Sequence, residues 1–466
     1  MIKRSLLGIL VLGLLLSACS EDLTATPTLE NQAAAAERYV LVYNGTKVPQ
    51  KASAAIEAAG GQLVSTLPQV GIAVAVSNNP DFATAAKGAG VQAVGMAPAS
   101  ALPEGAVAAP AALAAPTAAD DLYNTGLLWG INRVKAPQAW AAGETGSHDT
   151  VVAVIDTGIA TNHPDLAPNI VHTECFVSTS TETTKNCTPY PSYSDHGTHV
   201  AGTVAAAFGG GRVVGVGPNL GLAGYNTFEP IEGCGVCTYS DTRWQAMIDA
   251  ADRGFEVINM SLGSLQRKGG KGTNELNAFI RAENRVADYV LKAGTTIVAS
   301  AGNSDVDLNG LYYNTPGGVP GIINVGATGI RPEPRYPQPG AYDVRAFYSN
   351  YGAQVTLAAP GGDCGLPDDC SPTARPANYA EYLILSSVVA PNPTCAAAAN
   401  CPVGYGWKAG TSMASPHVAG VAGLVHDAQP GLDAKKVGNV LKQTAENLGD
   451  RQQFGHGMVN AEQAIK

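Results

Sequence analysis

Short runs of apolar, often β-branched residues recur through the C-terminal three quarters of the chain, separated by longer stretches with helical spacing. Four of these runs have the length and composition of buried strands, and they cover residues 150–155, 257–260, 295–299 and 322–325. Continuous apolar strands that alternate with helices are typical of a mostly parallel sheet covered by helices on both faces. The pattern therefore predicts an α/β domain over residues 121–466.

A different pattern occupies residues 38–97. Strand-like and helix-like segments follow one another there in the order β-α-β-β-α-β, which is typical of a small ferredoxin-like α+β domain. Residues 98–120 are almost entirely Ala, Pro, Leu and Thr and show little periodicity. Such a composition predicts an exposed linker, where proteolytic cleavage concentrates.

The N-terminal segment has the pattern of an export signal. Lys3 and Arg4 precede an apolar run of 12 residues, which spans about 18 Å as a helix and is too short to cross a bilayer. Residues 1–19 are therefore expected to be a cleaved signal peptide. Leu16-Ser17-Ala18-Cys19 also resembles the lipobox of bacterial lipoproteins, which would place a lipid anchor on Cys19; an ordinary signal peptide is the alternative. Residues 20–37 are expected to be a linker.

Charge and cysteine content narrow the class of protein. The net charge of −10 argues against nucleic acid as a partner. Of nine cysteines, eight remain when Cys19 is set aside, and an even number in an exported chain indicates disulfides. Clustering along the chain predicts the local pairs 175–187, 234–237, 364–370 and 395–401. The pair 234–237 could instead be a redox or zinc pair, although no second C-x-x-C accompanies it.

The first candidate for chemistry is Asp156, a carboxylate at the end of a buried strand. Active sites of α/β proteins form at this edge of a parallel sheet. Asp156-Thr157-Gly158 also occurs in aspartic proteases, but those enzymes need two such carboxylates, and the chain has no second Asp-Thr-Gly.

His196 stands at the start of a small-residue helix. Together with His199 it could bind a metal, but no third ligand at a suitable spacing is evident. A general base is therefore the favoured interpretation of His196, and His199 is expected to be a structural, hydrogen-bonded histidine.

Ser412 lies between a glycine turn and another small-residue helix. A helix N-terminus stabilises developing negative charge and offers free backbone N–H groups, which suits both a nucleophile and half of an oxyanion hole. Ser415 is the competing nucleophile, but it precedes Pro416 and is better explained as part of the helix. Asn303 follows a further strand and could either direct its amide N–H into a cleft or be an ordinary turn residue.

Together these motifs resemble the subtilisin-like serine proteases, the subtilases, over about residues 125–465. Two motifs carry most of the resemblance: His196-Gly-Thr-His-Val-Ala-Gly-Thr and Gly410-Thr-Ser-Met-Ala-Ser-Pro-His-Val-Ala-Gly. The order Asp156, His196, Asn303, Ser412 agrees with it. Residues 38–97 resemble the inhibitory propeptide that often precedes this catalytic domain.

The resemblance implies a secreted serine endopeptidase that needs no cofactor for catalysis. Ser412 would be the nucleophile, His196 the general base and Asp156 the residue that orients it. Asn303 and the Ser412 N–H would form the oxyanion hole. The implied substrate-binding residues, around an open pocket that favours apolar side chains before the scissile bond, are Ser261, Leu262, Gly263, Ala301 and Gly302.

The resemblance also bears on metals, partners and location. Asp165 matches a residue that ligates a structural Ca²⁺ in many relatives, but the matching loop, 208–212, lacks the usual side-chain oxygen and carries an arginine. Backbone carbonyls could still bind the ion there. Protein or peptide substrates are expected, with the propeptide as an intramolecular inhibitor of a monomer that is extracellular or lipid-anchored at the bacterial envelope. A binding lipoprotein on an inactive protease fold is the alternative, against which the intact triad argues.

Overall fold

The computed structural model describes residues 36–88, 90–97, 99–102, 107–110, 115–178, 183–185, 187–269, 273–330, 343–364 and 379–466. The predicted signal peptide, Cys19 and most of the predicted linker before residue 38 lie outside these ranges. Within them, no helix is both long and apolar enough to cross a membrane.

Residues 37–96 form a four-stranded antiparallel sheet with two short helices. In chain order the elements are β1 (Glu37–Tyr43), α1 (Ala52–Ala58), β2 (Gln62–Leu67), β3 (Ile72–Ser77), α2 (Phe82–Ala85) and β4 (Val91–Met96). The strand order is β2-β3-β1-β4. Both the element order and the sheet are those of a ferredoxin-like domain, as the sequence pattern predicts.

Alternation along β1 gives this small sheet two apolar faces. The Tyr39 ring lies 4.8 Å from that of Phe82 on the helical side. Val40 and Val42 point to the other face and join an apolar cluster that includes Trp244, a residue of the large domain formed by residues 121–466. Because successive side chains of a strand face opposite sides, one strand serves the core of the small domain and its contact with the large domain.

Two short strands follow in the segment whose composition predicts an exposed linker. They are β5 (Ala99–Ala101) and β6 (Val107–Pro110), and each pairs antiparallel with a strand of the large domain. The composition of this segment does not predict these two strands. Strand pairing uses backbone groups, so a segment rich in Ala and Pro can pair without showing any side-chain pattern.

The large domain contributes the remaining strands. In chain order they are β7 (Val151–Asp156), β8 (Ile170–Cys175), β9 (Val177–Ser178), β10 (Thr183–Thr184), β11 (Gly221–Asn226), β12 (Glu229–Ile231), β13 (Gly235–Tyr239), β14 (Val257–Met260), β15 (Ser264–Arg267), β16 (Thr296–Ser300), β17 (Tyr312–Thr315), β18 (Ile323–Ile330), β19 (Asp343–Arg345), β20 (Leu357–Pro360), β21 (Ile384–Val389) and β22 (Val403–Ala409).

Eight of these strands form the central sheet. Its order is β19-β18-β16-β14-β7-β11-β8, with β20 beside β18. All of its neighbours run parallel except β18 and β19. The four strands that the apolar runs predict are β7, β14, β16 and β18, in the interior of this sheet.

Helices cover both faces of the central sheet. In chain order the helices of the large domain are α3 (Asp121–Asn124), α4 (Trp129–Arg133), α5 (Ala136–Ala141), α6 (His196–Ala205), α7 (Ser240–Asp252), α8 (Thr273–Ala293), α9 (Pro393–Ala397), α10 (Thr411–Ala428), α11 (Ala434–Thr444), α12 (Arg451–Phe454) and α13 (Ala461–Ala464), with a 3₁₀ turn at Tyr379–Tyr382. Helices α6 and α10 pack on one face, and α7 and α8 pack on the other. The predicted α/β fold, with a mostly parallel sheet flanked by helices, is confirmed.

Disulfides join cysteines that are close in sequence. The bonded pairs are Cys175–Cys187, Cys234–Cys237 and Cys395–Cys401. Cys364 is disulfide-bonded as well, and its predicted partner Cys370 lies outside the described residues. The zinc alternative for the pair 234–237 is therefore wrong, because both of its sulfurs are consumed in the disulfide.

A buried ion pair joins the small domain to the large one. Arg38 Nη2 and Nε lie 2.8 and 3.1 Å from the two carboxylate oxygens of Asp241, and the Ser65 hydroxyl donates to the same carboxylate at 2.9 Å. The Arg38 guanidinium also lies 4.2 Å from the centre of the Tyr239 ring. The side chains of Arg38 and Asp241 are 6% and 0% exposed. If either were removed, water could not solvate the charge that remains.

Arg38→Met is expected to weaken the docking of the small domain by about 3–5 kcal/mol, because it leaves the Asp241 carboxylate buried without its cation. The measurement is amide hydrogen exchange of β1 in chains that also carry Ser412→Ala, which removes the hydroxyl of the candidate nucleophile. Lys47→Met, which removes an exposed cation of the same domain, is the matched control and should leave the exchange unchanged. Equal protection of β1 in both variants would contradict the expected role of the ion pair.

Candidate active site

Asp156 is the last residue of β7 and lies at the carboxyl edge of the central sheet. Its side chain is fully buried, and Oδ1 accepts the Thr157 N–H at 2.8 Å. His196 Nδ1 lies 2.8 Å from Oδ1 and 3.0 Å from Oδ2. Because a carboxylate accepts only, the proton of the imidazole resides on Nδ1, and Nε2 is left as an acceptor.

Helix α6 begins at His196 and places its first turn directly against β7. The Gly197 N–H donates to the Thr157 hydroxyl at 2.9 Å. A Cβ atom on Gly197 would lie 2.4 Å from the Gly158 carbonyl oxygen and 3.1 Å from Cβ of Asp156. The residue after His196 must therefore be glycine for the imidazole to reach the carboxylate.

The other ring nitrogen of His196 is unoccupied. Nε2 is buried and has no hydrogen-bond partner within the described part of the chain, and the residue is 2% exposed. A buried polar atom without a partner costs free energy. An oriented imidazole with a free acceptor nitrogen is the arrangement that a general base requires.

Ser412 occupies the first turn of α10 and is held by β14 and the residues after it. Its Oγ donates to the Ser261 carbonyl at 3.2 Å, and its own carbonyl accepts the Ser261 hydroxyl at 2.8 Å. Pro416 explains the second contact, because a proline four residues on has no N–H for the Ser412 carbonyl. In this structure the Ser412 hydroxyl is thus bonded to Ser261 and not to His196.

Asn259 extends this network, and the sequence-based set of site residues does not contain it. Its Nδ2 donates to the Ser261 hydroxyl at 3.0 Å, and its Oδ1 accepts the Ser415 hydroxyl at 2.6 Å. The Ser415 hydroxyl is therefore engaged in holding α10 against β14, which favours Ser412 as the nucleophile. The sequence signal that could have revealed Asn259 is a polar residue inside an otherwise apolar strand.

Asn303 is clamped by the residue that precedes Ser412. Its Oδ1 accepts both the N–H of Thr411 at 2.9 Å and the hydroxyl of Thr411 at 2.7 Å. The Thr411 hydroxyl oxygen accepts the Gly302 N–H at 3.0 Å. Two donors at Oδ1 fix the amide orientation, and Nδ2 is left buried with no partner within the described residues. Thr411 is a second positioning residue that the sequence-based set lacks.

The predicted substrate-binding residues lie at the carboxyl ends of two parallel neighbours, β14 and β16. Ser261–Gly263 follow β14, and Ala301–Gly302 follow β16. Gly302 has a φ of 95°, and a Cβ atom there would lie 2.5 Å from Nδ2 of Asn350. The Asn350 amide donates to the Ala301 carbonyl at 2.7 Å, so it holds the backbone of these two residues in place.

His199 occupies a structural position. One ring nitrogen lies 3.0 Å from the Ile384 carbonyl oxygen, and the side chain is fully buried. Burial lowers the pKa of His199 well below its usual value, so the ring stays neutral. These contacts agree with the structural role expected from the sequence.

Asp165, the residue expected from the sequence to bind calcium, is surrounded largely by hydrogen-bond donors. Its carboxylate is buried and faces the Tyr405 hydroxyl and the N–H groups of Arg212 and Val213, without well-aligned hydrogen bonds. Burial raises the pKa of Asp165 to about 7. These neighbours are donors, whereas Ca²⁺ takes six to eight oxygen ligands. Within the described residues no three His, Cys, Asp or Glu side chains converge on a possible metal position.

A buried Asp–His pair and a serine in the first turn of a helix, at the carboxyl edge of a parallel sheet, are the groups of a serine hydrolase. The model of the subtilase family matches residues 147–457. Alkaline elastase YaB of Bacillus sp. (strain YaB) is 35% identical over 341 residues, which cover 72% of this chain and 70% of that protein. Subtilisin DY of Bacillus licheniformis is 33% identical over 342 residues, which cover 72% of this chain and 98% of that protein.

Solved structures agree on the fold. The epidermin leader peptide processing serine protease of Staphylococcus aureus superimposes with a TM-score of 0.70 at 21% identity, covering 92% of this chain and 98% of that one. The chain therefore belongs to the subtilase family and is a serine endopeptidase. Subtilases need no cofactor for catalysis.

Proposed function

We propose that this chain is a secreted subtilase that hydrolyses peptide bonds through an acyl-enzyme on Ser412. The observation that carries the proposal is the buried contact of 2.8 Å between Asp156 and His196 Nδ1, which leaves Nε2 free on a helix packed against α10. The first turn of α10 bears Ser412. Carboxylate, imidazole and hydroxyl are thus supplied by three elements that the fold holds together.

The chemistry follows from these groups. The Ser412 hydroxyl exchanges its contact with the Ser261 carbonyl for one with His196 Nε2 and then attacks the carbonyl carbon of the substrate. His196 takes the hydroxyl proton and returns it to the leaving amine, while Asp156 stabilises the imidazolium. Water then hydrolyses the acyl-enzyme by the same route in reverse.

Asn303 and the backbone of Ser412 supply the oxyanion hole in this proposal. The Nδ2 group of Asn303 is buried and has no partner among the described residues, and the Ser412 N–H stands in the first turn of α10, where a helix leaves N–H groups without their usual acceptor four residues earlier. The substrate oxygen that becomes negative in the transition state would accept hydrogen bonds from both Asn303 Nδ2 and the Ser412 N–H. Their fixed orientation makes the stabilisation available without reorganisation.

The pocket walls favour broad specificity with an apolar side chain before the scissile bond. None of the five wall residues carries a charge: Ser261, Leu262, Gly263, Ala301 and Gly302. Leu262 and Ala301 contribute apolar side chains to the proposed walls. A charged substrate side chain would find no partner among these residues, so proteins and peptides with apolar residues at this position are the proposed substrates.

The small domain is the proposed inhibitory propeptide. The segment that follows it, here called the tail (described for residues 99–102 and 107–110), would block the cleft. The Leu102 N–H donates to the Val236 carbonyl at 3.1 Å, and the Ser100 hydroxyl lies 3.4 Å from that of Ser264, next to the pocket wall. Beyond it, Val107 pairs with Ala409, three residues before Ser412. In this proposal the tail crosses the cleft past Ser412, as an extended substrate would.

Location follows from the disulfides and the proposed maturation. Three disulfides of the described residues favour an oxidising compartment outside the cytoplasm. A lipid on Cys19 would stay with the small domain once the tail is cut, and the catalytic domain would then be released. An uncut chain would stay anchored at the envelope.

A fluorophosphonate probe is expected to label Ser412 of the mature enzyme, because the probe reacts with activated serine hydroxyls and the peptide mass identifies the residue. Ser412→Ala should abolish labelling. Ser415→Ala removes the neighbouring hydroxyl and should still be labelled, which makes it the matched control. A folded, processed chain that takes up no label would overturn the proposal and favour a binding protein on an inactive protease fold.

Asn303→Ala is expected to lower kcat by about 100-fold or more with little change in KM, since the amide acts on charge that develops only in the transition state; this is the size known for such a donor in this family. Steady-state hydrolysis of a peptide anilide measures both constants. Asn309→Ala removes an exposed asparagine in the same loop and should change neither. An unaltered kcat in Asn303→Ala would assign the oxyanion hole to backbone N–H groups alone.

Maturation is expected to cut one of the bonds between Leu102 and Val107, because the proposal places this stretch at Ser412, between the segments that pair with β13 and β22. Mass spectrometry of the protein made in a host without other exported proteases should give a mature chain that starts between Pro103 and Val107. The Ser412→Ala chain should stay uncut at these bonds. A mature chain that starts within residues 111–120 would show that the tail does not lie in the cleft as a substrate.

A further inference from the structure

The Cys234–Cys237 disulfide lies in the strand against which the tail is paired. Strands β12 and β13 form a hairpin, and the Cys234 N–H donates to the Ile231 carbonyl at 3.0 Å in its turn. Cys237 pairs with Glu229 on one edge of β13 and with Ala101 on the other. The disulfide therefore belongs to the strand that the tail uses as its template.

One edge of β13 is covered only while the tail is present. The sheet has the order β12-β13-β5, so departure of residues 99–102 turns β13 into an edge strand. An open strand edge binds an extended peptide through its backbone N–H and C=O groups. Substrate residues on the N-terminal side of the scissile bond would take the place of β5.

The disulfide closes a ring of residues 234–237, which contains the backbone carbonyl that accepts a hydrogen bond from the tail. The Val236 carbonyl, which accepts the Leu102 N–H, lies between the two half-cystines. Gly233 and Gly235 both have positive φ angles, 75° and 84°, in a part of the chain where glycine leaves the backbone many alternatives. The cross-link from Cys234 to the fully buried Cys237 restricts these alternatives before any substrate binds.

We propose that the Cys234–Cys237 disulfide determines substrate specificity by pre-organising β13, so that the enzyme favours peptides long enough to pair with this strand. Binding to a flexible strand would include the cost of ordering it, and the disulfide lowers that cost. A substrate too short to reach β13 gains nothing from the disulfide. The proposal rests on the proposed function of Ser412.

Reduction of the Cys234–Cys237 disulfide would remove this constraint on β13. A small dithiol breaks the S–S bond, yields the two thiols of Cys234 and Cys237, and is itself oxidised to its cyclic disulfide. The reduced strand recovers its flexibility, so extended substrates lose affinity while the groups around Ser412 are untouched. The specificity for long peptides is therefore sensitive to the redox state of its surroundings.

The test compares the mature enzyme with the double variant Cys234→Ser/Cys237→Ser on two anilides, one with a single blocked residue and one with six residues before the scissile bond. We expect kcat/KM for the long substrate to fall about tenfold, mainly through KM, and that for the short substrate to stay within twofold. Cys395→Ser/Cys401→Ser is the matched control. Its disulfide precedes β22, on the other side of Ser412, so it should not discriminate between the two lengths.

The same two kcat/KM values can be measured after treatment with a reductant, which opens the disulfide without a substitution in the hairpin. Mild dithiol treatment of the unmodified enzyme and of the control variant should reproduce the selective loss, and the treated double variant should lose nothing further. Equal kcat/KM values of the double variant and the unmodified enzyme, or an equal loss on both substrates, would overturn the proposal. If the unmodified enzyme cleaves neither anilide and takes up no fluorophosphonate, the function of Ser412 itself fails and the proposal fails with it.

Discussion

The missing N–H of Pro416 is the constraint on which the candidate site depends. It deprives the Ser412 carbonyl of its helical donor, and the Ser261 hydroxyl supplies the replacement at 2.8 Å. Ser261 is in turn held by Asn259, and Asn259 by Ser415. The N-terminus of α10 is thereby fixed to the end of β14. A proline that would weaken an ordinary helix ties the proposed nucleophile to the pocket wall.

The start of α10 also fixes the side chain of Asn303. Its amide could turn either way in an open loop, but Thr411 presents two donors to Oδ1, so the N–H side is left for a ligand. Thr411 and Ser412 are neighbours at the start of α10. One helix terminus consequently fixes the hydroxyl of the proposed nucleophile and the amide of the proposed oxyanion donor relative to each other.

Sequence patterns predict the parts of this molecule that depend on local order. The apolar run that ends in Asp156 marks β7, and the glycine after His196 marks the close approach of α6. The roles of Asn259 and Thr411 escape such reasoning, because each residue acts through a partner more than 100 positions away. Ser415 is 156 residues from Asn259, and Asn303 is 108 residues from Thr411. Strands β5 and β6 escape it for a different reason, since backbone pairing sets no requirement on their side chains.

The small domain is attached to the large one by two kinds of contact, and the difference between them matters for release. Arg38 and Asp241 form a buried ion pair, which no arbitrary peptide can imitate. The tail pairs with β13 and β22 through backbone groups, which any extended peptide offers. In the proposed maturation, substrates would compete for the strand edges once the tail is cut, but not for the ion pair. The proposed inhibition would then be lost while the domain is still docked, and release of the domain would require that Arg38 and Asp241 separate.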